Sequence, residues 1–187
     1  MLADRIKWNE KYRSHDYPAE PSAVVKDFCM LASGRRALDI AAGSGRNALY
    51  LAEQGFAVDA VDISDSGLAL VSGLHPNIRP VCADLDTFDI PAQRYDLIVN
   101  ILYLNRRLFP QLREGLRPGG LLIFETLLAP PDAGEGGTPC RDYFLRRNEL
   151  LHGFLSLRII HYRETGGREG QESKPLASLV AVKEPGV

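Results

Sequence analysis

Two glycines separated by one residue, Gly43 and Gly45, stand in the segment LDIAAGSGRNA (38–48). Glycine lets the backbone come close to a ligand, and a helix that begins after such a turn offers unpaired N–H groups to an anionic group. A strand, a glycine turn and a helix in this order are typical of a site for a nucleotide-like ligand. On the glycines alone, a tight connection between a strand and a helix explains the segment equally well.

Two carboxylates follow at equivalent points of later segments. Asp62 ends the apolar run 56–61, and Asp84 follows the apolar run 78–82. A carboxylate at the first point can accept hydrogen bonds from both hydroxyls of a ribose, and one at the second can accept from the exocyclic amine of adenine. Each acid alone fits a helix cap or a loop. Because all three features end consecutive predicted strands, their coincidence favours a cofactor site.

Asp39 is a third acid, and it interrupts the apolar strand that leads into the glycine turn. A carboxylate buried in a strand needs a partner. An ammonium group on the ligand would supply one, and S-adenosylmethionine carries such a group whereas a nicotinamide dinucleotide does not. Asp39 therefore favours the former cofactor.

The elements that must position these residues alternate between strands and helices. Strands are predicted at 37–41, 56–61, 78–82, 97–102 and 121–127, and helices at 46–54, 64–72 and 108–116. This alternation predicts a parallel sheet covered on both faces. Two further β-rich runs, 157–162 and 176–182, predict an antiparallel hairpin at one edge, because the polar segment between them contains no helix.

The remaining segments surround this core. Two helices are predicted before it, one within 4–13 and one from Ser22 to about Gly34, whereas 129–140 is predicted to be a long loop and 148–154 a short helix. We expect one domain over 1–187, in which 1–34 covers the site and 35–187 forms the core.

Composition narrows the class of protein. The chain has 187 residues, a net charge of −2 and three cysteines without a C-x-x-C pair. These features disfavour a strongly basic nucleic-acid binder, a disulfide framework and a zinc site, and they fit a reducing cytoplasm. No apolar run approaches the ~20 residues that span a bilayer. We expect a cytoplasmic protein, a monomer or homodimer, without a nucleic-acid or membrane partner.

Five segments together resemble the class I S-adenosylmethionine-dependent methyltransferases. They are LDIAAGSGRN (38–47), VDIS (61–64), ADL (83–85), YDLIVN (95–100) and LRPGGLLIFET (116–126). Within that class the chain is most similar to the small tellurite-resistance methyltransferases, through GRNALYLA (45–52), the Trp8/Tyr12 helix and the C-terminal segment 144–164. The resemblance implies a doubly wound, Rossmann-like α/β fold with a mostly parallel seven-stranded sheet and an antiparallel last strand.

The same resemblance assigns the site residues. It implies that Asp39, Gly43 and Gly45 hold the methionine portion, that Asp62 and Ile63 hold the ribose and adenine, and that Asp84 and Leu85 hold the adenine. Asn100 would lie beside the amino group and the sulfonium, Tyr12 would cover the site, and Ala41 and Asn47 complete the predicted cofactor set.

Methyl transfer from a sulfonium is an in-line displacement, so the protein must align the acceptor and exclude water rather than supply a nucleophile. The sequence shows no such nucleophile and no metal-ligand spacing among its histidines. The candidates for contact with a small-molecule acceptor are Tyr12, Tyr103, Arg107 and Arg168, and an arginine there would suit an anionic acceptor. The last hairpin loop lacks the histidine of the His-Arg pair in the tellurite-resistance proteins, which weakens the expectation of oxyanion chemistry.

Two alternatives stay open. One is a non-catalytic module that binds S-adenosylmethionine. The other is a nicotinamide-dependent oxidoreductase, because Gly43-x-Gly45-x-x-Ala48 followed by Asp62 fits that fingerprint. Asp39, Asp84, the short chain and the terminal hairpin count against the oxidoreductase.

Overall fold

The computed structural model describes residues 2–14, 17–129, 143–166 and 174–186. The helices are α1 (Leu2–Ser14), α2 (Ala23–Phe28), α3 (Arg46–Glu53), α4 (Asp65–Ala69), α5 (Leu108–Gly115) and α6 (Glu149–Gly153), with a 3-10 turn at Cys29–Leu31. The strands are β1 (Arg36–Ile40), β2 (Ala57–Asp62), β3 (Ile78–Cys82), β4 (Tyr95–Ile101), β5 (Leu116–Leu127), β6 (Arg158–Thr165) and β7 (Leu176–Val182). Most of the predicted loop 129–140, including Cys140, lies outside the described residues. The candidate acceptor contact Arg168 lies outside them as well.

The seven strands form one sheet in the order β3-β2-β1-β4-β5-β7-β6. The strands from β3 across to β5 are parallel, whereas β7 runs antiparallel to both β5 and β6. The predicted doubly wound α/β fold, with a terminal hairpin at one edge, is confirmed. The direction of winding reverses between β1 and β4, and in such sheets ligands bind beyond the carboxyl ends of the strands at that point.

Two apolar layers hold this sheet between helices. On one face α2, α3 and α4 pack against side chains such as Ala37 and Val99. On the other face α5 and α6 pack against side chains such as Leu38, Ile40 and Phe124. Because both faces are covered, β4 is buried at every position, including the polar Asp96 and Asn100.

Strand β5 differs most from its predicted bounds. It begins at Leu116 rather than at residue 121, and its pairing with β4 shifts register between Tyr95 and Leu97. Gly119 lies between the predicted helix 108–116 and the predicted strand 121–127, and it takes the left-handed conformation inside β5 (φ +79°). The connection expected there is therefore an irregular part of the strand, which glycine accommodates.

Among the described residues, no helix is both long and apolar enough to cross a membrane.

Ala41 follows β1 directly and adopts a left-handed backbone conformation, with φ +54°. This conformation costs a residue with a Cβ roughly 1–2 kcal/mol, whereas glycine adopts it freely. We expect Ala41→Gly to raise the free energy of unfolding by about 0.5–1 kcal/mol in urea titrations. The neighbouring Ala42 lacks a positive φ, so Ala42→Gly is the matched control and should lower stability. Destabilisation of similar size by both variants would contradict the strain at Ala41.

Candidate functional site

The predicted site residues lie at the carboxyl ends of the strands, where neighbouring turns are joined by backbone hydrogen bonds. Ala42 N donates to Val61 O at 3.0 Å, and Ala83 N donates to Asp62 O at 2.9 Å. Adjacent strands are about 4.8 Å apart, so the row from the end of β3 to the end of β4 spans roughly 14 Å. The edge therefore presents an elongated site rather than a compact one.

Asp62 connects the glycine turn to the start of α4. Its Oδ2 accepts the Gly43 N–H at 2.8 Å, and its Oδ1 accepts the Ser64 N–H at 2.8 Å. Burial raises the pKa of the Asp62 carboxyl, and the backbone N–H groups that it accepts partly oppose this rise. Asp62 thus fixes the turn, and its predicted contact with a ribose stays a prediction.

Both positions of the turn need glycine, because the backbone conformation is left-handed and because neighbouring side chains leave no space for a Cβ. Gly43 and Gly45 both have a left-handed conformation, with φ of +58° and +77°. A Cβ at Gly43 would overlap the hydroxyl of Tyr12, and one at Gly45 would overlap the side chain of Val71. A larger residue at either position would push Tyr12 or Val71 away.

Asp39 has the most unusual environment in the site. Its side chain faces α3 and is only 1 % exposed, and its Oδ2 has no hydrogen-bond partner among the described residues. Burial, and then repulsion from Asp62, raise the pKa of Asp39 to about 7, although the Ala48 N–H favours its charged form. An unpaired buried acceptor costs free energy. A cation bound here would remove that cost.

Helix α1 lies over the glycine turn and is held there by polar contacts. None of its residues is buried. Arg5 forms an ion pair with Asp65 at 2.7 Å, and Asn9 Oδ1 accepts a hydrogen bond from the Ser64 hydroxyl at 2.6 Å. These contacts bring the ring of Tyr12 onto the turn, where burial and then the Asp62 charge raise the pKa of its hydroxyl.

The linker from α1 to α2 is fastened to the start of α3. Asn47 Oδ1 accepts the Ser22 N–H at 2.9 Å. Arg46 donates to Glu20 O at 2.9 Å and to Ser22 Oγ at 3.1 Å. Asn47 therefore holds the linker in the structure, and its predicted cofactor contact stays a prediction.

The end of β3 carries Asp84 and the buried Leu85 at the start of a turn. Asp84 Oδ1 accepts the Asp86 N–H at 3.0 Å, and this bond lowers the pKa of Asp84. The Thr87 and Phe88 N–H groups donate to Asp84 O at 3.0 and 2.8 Å. Ile63, after β2, is half-buried, and its carbonyl accepts from the Cys82 thiol at 3.6 Å. The structure thus places both predicted adenine contacts at the outer end of the row.

The end of β4 and the segment after it carry three other candidates. Asn100 is buried, and its Nδ2 donates to Tyr103 O at 2.7 Å. Tyr103 is half-buried, which raises the pKa of its hydroxyl. Arg107 donates to Leu85 O and Phe88 O, both at 2.9 Å. The structure therefore gives Arg107 a role in holding the turn after β3, and its contact with an acceptor stays a prediction.

Sequence reasoning missed the residues that dock α1. Asn9 and Arg5 carry no local signal, because their partners are more than fifty positions away. Gly67 did carry a local signal, because glycine is unfavourable inside a helix and this residue lies within the predicted helix 64–72. A Cβ there would lie 2.9 Å from Gly43 O and 3.0 Å from the ring of Tyr12.

An open groove of about 480 Å³ adjoins the glycine turn. It is lined by α1, the linker, the turn itself, the start of α3 and the segment after α4, through residues that include Tyr12, Gly45, Arg46 and Leu74. Neither Asp39 nor Asp62 is part of its described lining. The groove therefore shares Gly45 with the row of turns but does not include its two buried carboxylates.

The raised pKa of Asp39 predicts how stability depends on pH. Between its ordinary pKa of 3.8 and the folded value of about 7, the folded protein holds a proton that the unfolded chain has released. The free energy of unfolding of the ligand-free protein should therefore fall as the pH rises from about 4 to 8, relative to Asp39→Asn, by on the order of 2–4 kcal/mol. Urea unfolding across that range measures the difference. Asp27→Asn on the exposed side of α2 is the control, and parallel profiles for wild type and Asp39→Asn would refute the prediction.

Asp62→Ala would leave two buried N–H groups without their acceptor. We expect it to lower the free energy of unfolding by about 1–3 kcal/mol. Glu53→Ala at the exposed end of α3 should change stability by less than about 0.5 kcal/mol. Equal effects in thermal or urea unfolding would show that the Asp62 bonds do not hold the turn.

Comparison with known proteins shows a similarity to methyltransferases. A protein-family model described as "Methyltransferase domain" matches residues 37–120. This range holds β1 to β4, the glycine turn and the acids Asp39, Asp62 and Asp84.

Two kinds of curated methyltransferase are similar in sequence. The probable S-adenosyl-L-methionine-dependent methyltransferase TehB of Haemophilus influenzae is 26% identical over 157 residues, which cover 76% of this chain and 53% of TehB. A ubiquinone biosynthesis O-methyltransferase of Coxiella burnetii is 32% identical over 104 residues, which cover 50% of this chain and 44% of that protein. The chain thus spans about half the length of these relatives.

Solved structures share the fold. The crystal structure of TehB from Haemophilus influenzae superposes with a TM-score of 0.73 at 22% identity, over 96% of this chain and 67% of that one. The Burkholderia thailandensis 1,6-didemethyltoxoflavin-N1-methyltransferase, solved with 1,6-didemethyltoxoflavin and S-adenosylhomocysteine, gives 0.70 at 18% identity, over 98% and 87%.

The row of turns, the matched domain and these relatives agree with the resemblance found in the motifs. The relatives include a probable S-adenosyl-L-methionine-dependent methyltransferase and an enzyme solved with S-adenosylhomocysteine. Residues 37–120 match a methyltransferase domain, and the chain is similar in sequence and in fold to TehB, a probable S-adenosyl-L-methionine-dependent methyltransferase.

Proposed function

We propose that this protein transfers the methyl group of S-adenosylmethionine to a small-molecule acceptor. The observation that carries the proposal is the buried, unpartnered carboxylate oxygen of Asp39 beside the glycine turn. Of the cofactors that a glycine turn of this kind binds, S-adenosylmethionine is the one whose amino acid end brings an ammonium group to that carboxylate.

The shape of the sheet edge supports this assignment. Adenosine and methionine together form an elongated molecule, which suits a row of turns about 14 Å long. In this proposal Asp84 and Leu85 hold the adenine, and Asp62 and Ile63 hold the ribose. Asp39, Ala41, Gly43, Gly45 and Asn47 surround the methionine portion, with Asn100 beside it.

The bound cofactor supplies a methyl group on a positively charged sulfur, which an acceptor displaces in line. The tasks left to this chain are to align the acceptor and to keep water out. Tyr12 covers the turn from α1, so residues 1–34 act as the cover of a core formed by 35–187. This covering accounts for the partial burial of Tyr12 in a helix that has no fully buried residue.

A small acceptor is favoured by the relatives and by charge. The named relatives include a ubiquinone biosynthesis O-methyltransferase and an enzyme solved with 1,6-didemethyltoxoflavin. The net charge of −2 offers little attraction to a nucleic acid. Tyr103, Arg107 and Arg168 are the proposed acceptor contacts, and the arginines would favour an anionic acceptor. The free thiols of Cys29 and Cys82 support a cytoplasmic location.

Calorimetry with S-adenosylhomocysteine tests the cofactor assignment. We expect saturable binding, which Asp62→Ala weakens by about 1–3 kcal/mol through loss of charge-assisted hydrogen bonds. Glu53→Ala is the control and should bind as the wild type does. Unchanged affinity in Asp62→Ala would refute the ribose contact, and binding of a nicotinamide dinucleotide in place of S-adenosylhomocysteine would refute the cofactor.

Methyl transfer itself is tested by incubating the protein with S-adenosylmethionine and a panel of small oxygen, nitrogen and sulfur acceptors. We expect S-adenosylhomocysteine to accumulate with at least one of them. Tight cofactor binding without turnover across the panel would favour a non-catalytic binding module.

A further inference from the structure

A cluster of arginines surrounds one carboxylate at the opposite end of the strands. Asp59 lies within β2 and is 7 % exposed. Its Oδ1 accepts from Arg79 Nε at 2.8 Å, and its Oδ2 accepts from the Tyr95 hydroxyl at 2.9 Å. The guanidinium groups of Arg36 and Arg94 lie 3.8 and 4.0 Å from the same Oδ2.

Asp59 needs only part of this cluster. Burial alone would raise the pKa of Asp59, but the hydrogen bonds from Arg79 and Tyr95, together with the charges of Arg79 and Arg36, outweigh burial and hold the pKa below its usual range. Each oxygen of the carboxylate accepts its hydrogen bond from Arg79 or Tyr95 rather than from Arg36 or Arg94. Three positive charges around one negative charge leave an excess of two.

Two donors in the cluster have no acceptor. The Nε atoms of Arg36 and Arg94 are buried, and within the described ranges neither has a hydrogen-bond partner. The side chains as a whole reach the surface, with 39 % of Arg36, 64 % of Arg79 and 38 % of Arg94 exposed. The cluster therefore offers both buried donors and an open approach.

A second carboxylate does not balance the excess. Asp96 accepts the backbone N–H of Arg36 at 2.9 Å and pairs with Arg117 at 3.3 Å. Its charge is thus matched by an additional arginine outside the three around Asp59. The amino ends of β1, β2, β3 and β4 together present more positive than negative charge.

We propose that Arg36, Arg79 and Arg94 form a binding site for a phosphate group that carries two negative charges. A guanidinium presents N–H donors in a planar fork that matches two oxygens of a phosphate. A dianion would neutralise the excess of two charges and give acceptors to the unpaired donors. Free phosphate and a phosphate monoester share this chemistry.

This site is separate from the methyltransferase site. Asp59 and Asp62 are three residues apart on one strand, which places the cluster about 10 Å back along β2 from the cofactor row. The inference therefore does not rest on the proposed function, and the two can fail independently.

Calorimetry with inorganic phosphate and with glycerol 3-phosphate, at constant ionic strength, tests the site. We expect saturable binding that Arg94→Gln weakens at least tenfold, whereas Arg94→Lys, which keeps the charge but loses the fork, weakens it less. Arg158→Gln is the matched control, because Arg158 is an exposed arginine paired with Glu184 on another part of the sheet. It should leave phosphate binding unchanged.

Binding of both compounds would assign the site to phosphate esters, and binding of inorganic phosphate alone would assign it to the free ion. Arg94→Gln should fold, since Arg94 lies 4.0 Å from Asp59 and donates no hydrogen bond to it, and an unchanged midpoint of urea unfolding would verify this. Failure of the wild type to bind either compound, or equal weakening in Arg158→Gln, would overturn the proposal.

Discussion

The burial of two carboxylates on neighbouring strands is the constraint on which the candidate site depends. Asp39 and Asp62 are 1 % and 6 % exposed, and the charge of Asp62 adds to burial in raising the pKa of Asp39. Asp62 is compensated by two backbone N–H groups. Asp39 retains an oxygen without a partner among the described residues. An apolar core does not keep such a group without compensation elsewhere.

The turn geometry follows from this arrangement. Because Asp62 accepts from Gly43, the glycine turn is held towards β2. The left-handed residues Ala41, Gly43 and Gly45 let the backbone make this turn without side chains in the way. Tyr12 then covers it from a helix held by an exposed ion pair and a side-chain hydrogen bond. Contacts of this kind contribute little free energy, so α1 belongs to the least stable part of the described structure.

Much of the fold, and the positions of the acids in the candidate site, could be predicted from the sequence because the patterns that define them are local. Buried parallel strands appear as apolar runs, and the helix 46–53 shows an apolar stripe at helical spacing, so the alternation that defines the fold is local. The positions of Asp39, Asp62 and Asp84 at strand ends followed from it. The bounds of β5 could not be predicted, because Gly119 sits in a strand irregularity that only pairing with β4 defines. The contacts of Asn9, Arg107 and the Asp59 arginines join distant segments, and no local pattern marks them.

A crystal structure with S-adenosylhomocysteine tests the central claim most directly. We expect the amino group of the ligand to lie within hydrogen-bond distance of Asp39 Oδ2, or to join it through one ordered water, with the adenine at Asp84 and Leu85. A ligand whose amino group lies elsewhere, with Asp39 still unpartnered, would contradict this role of Asp39.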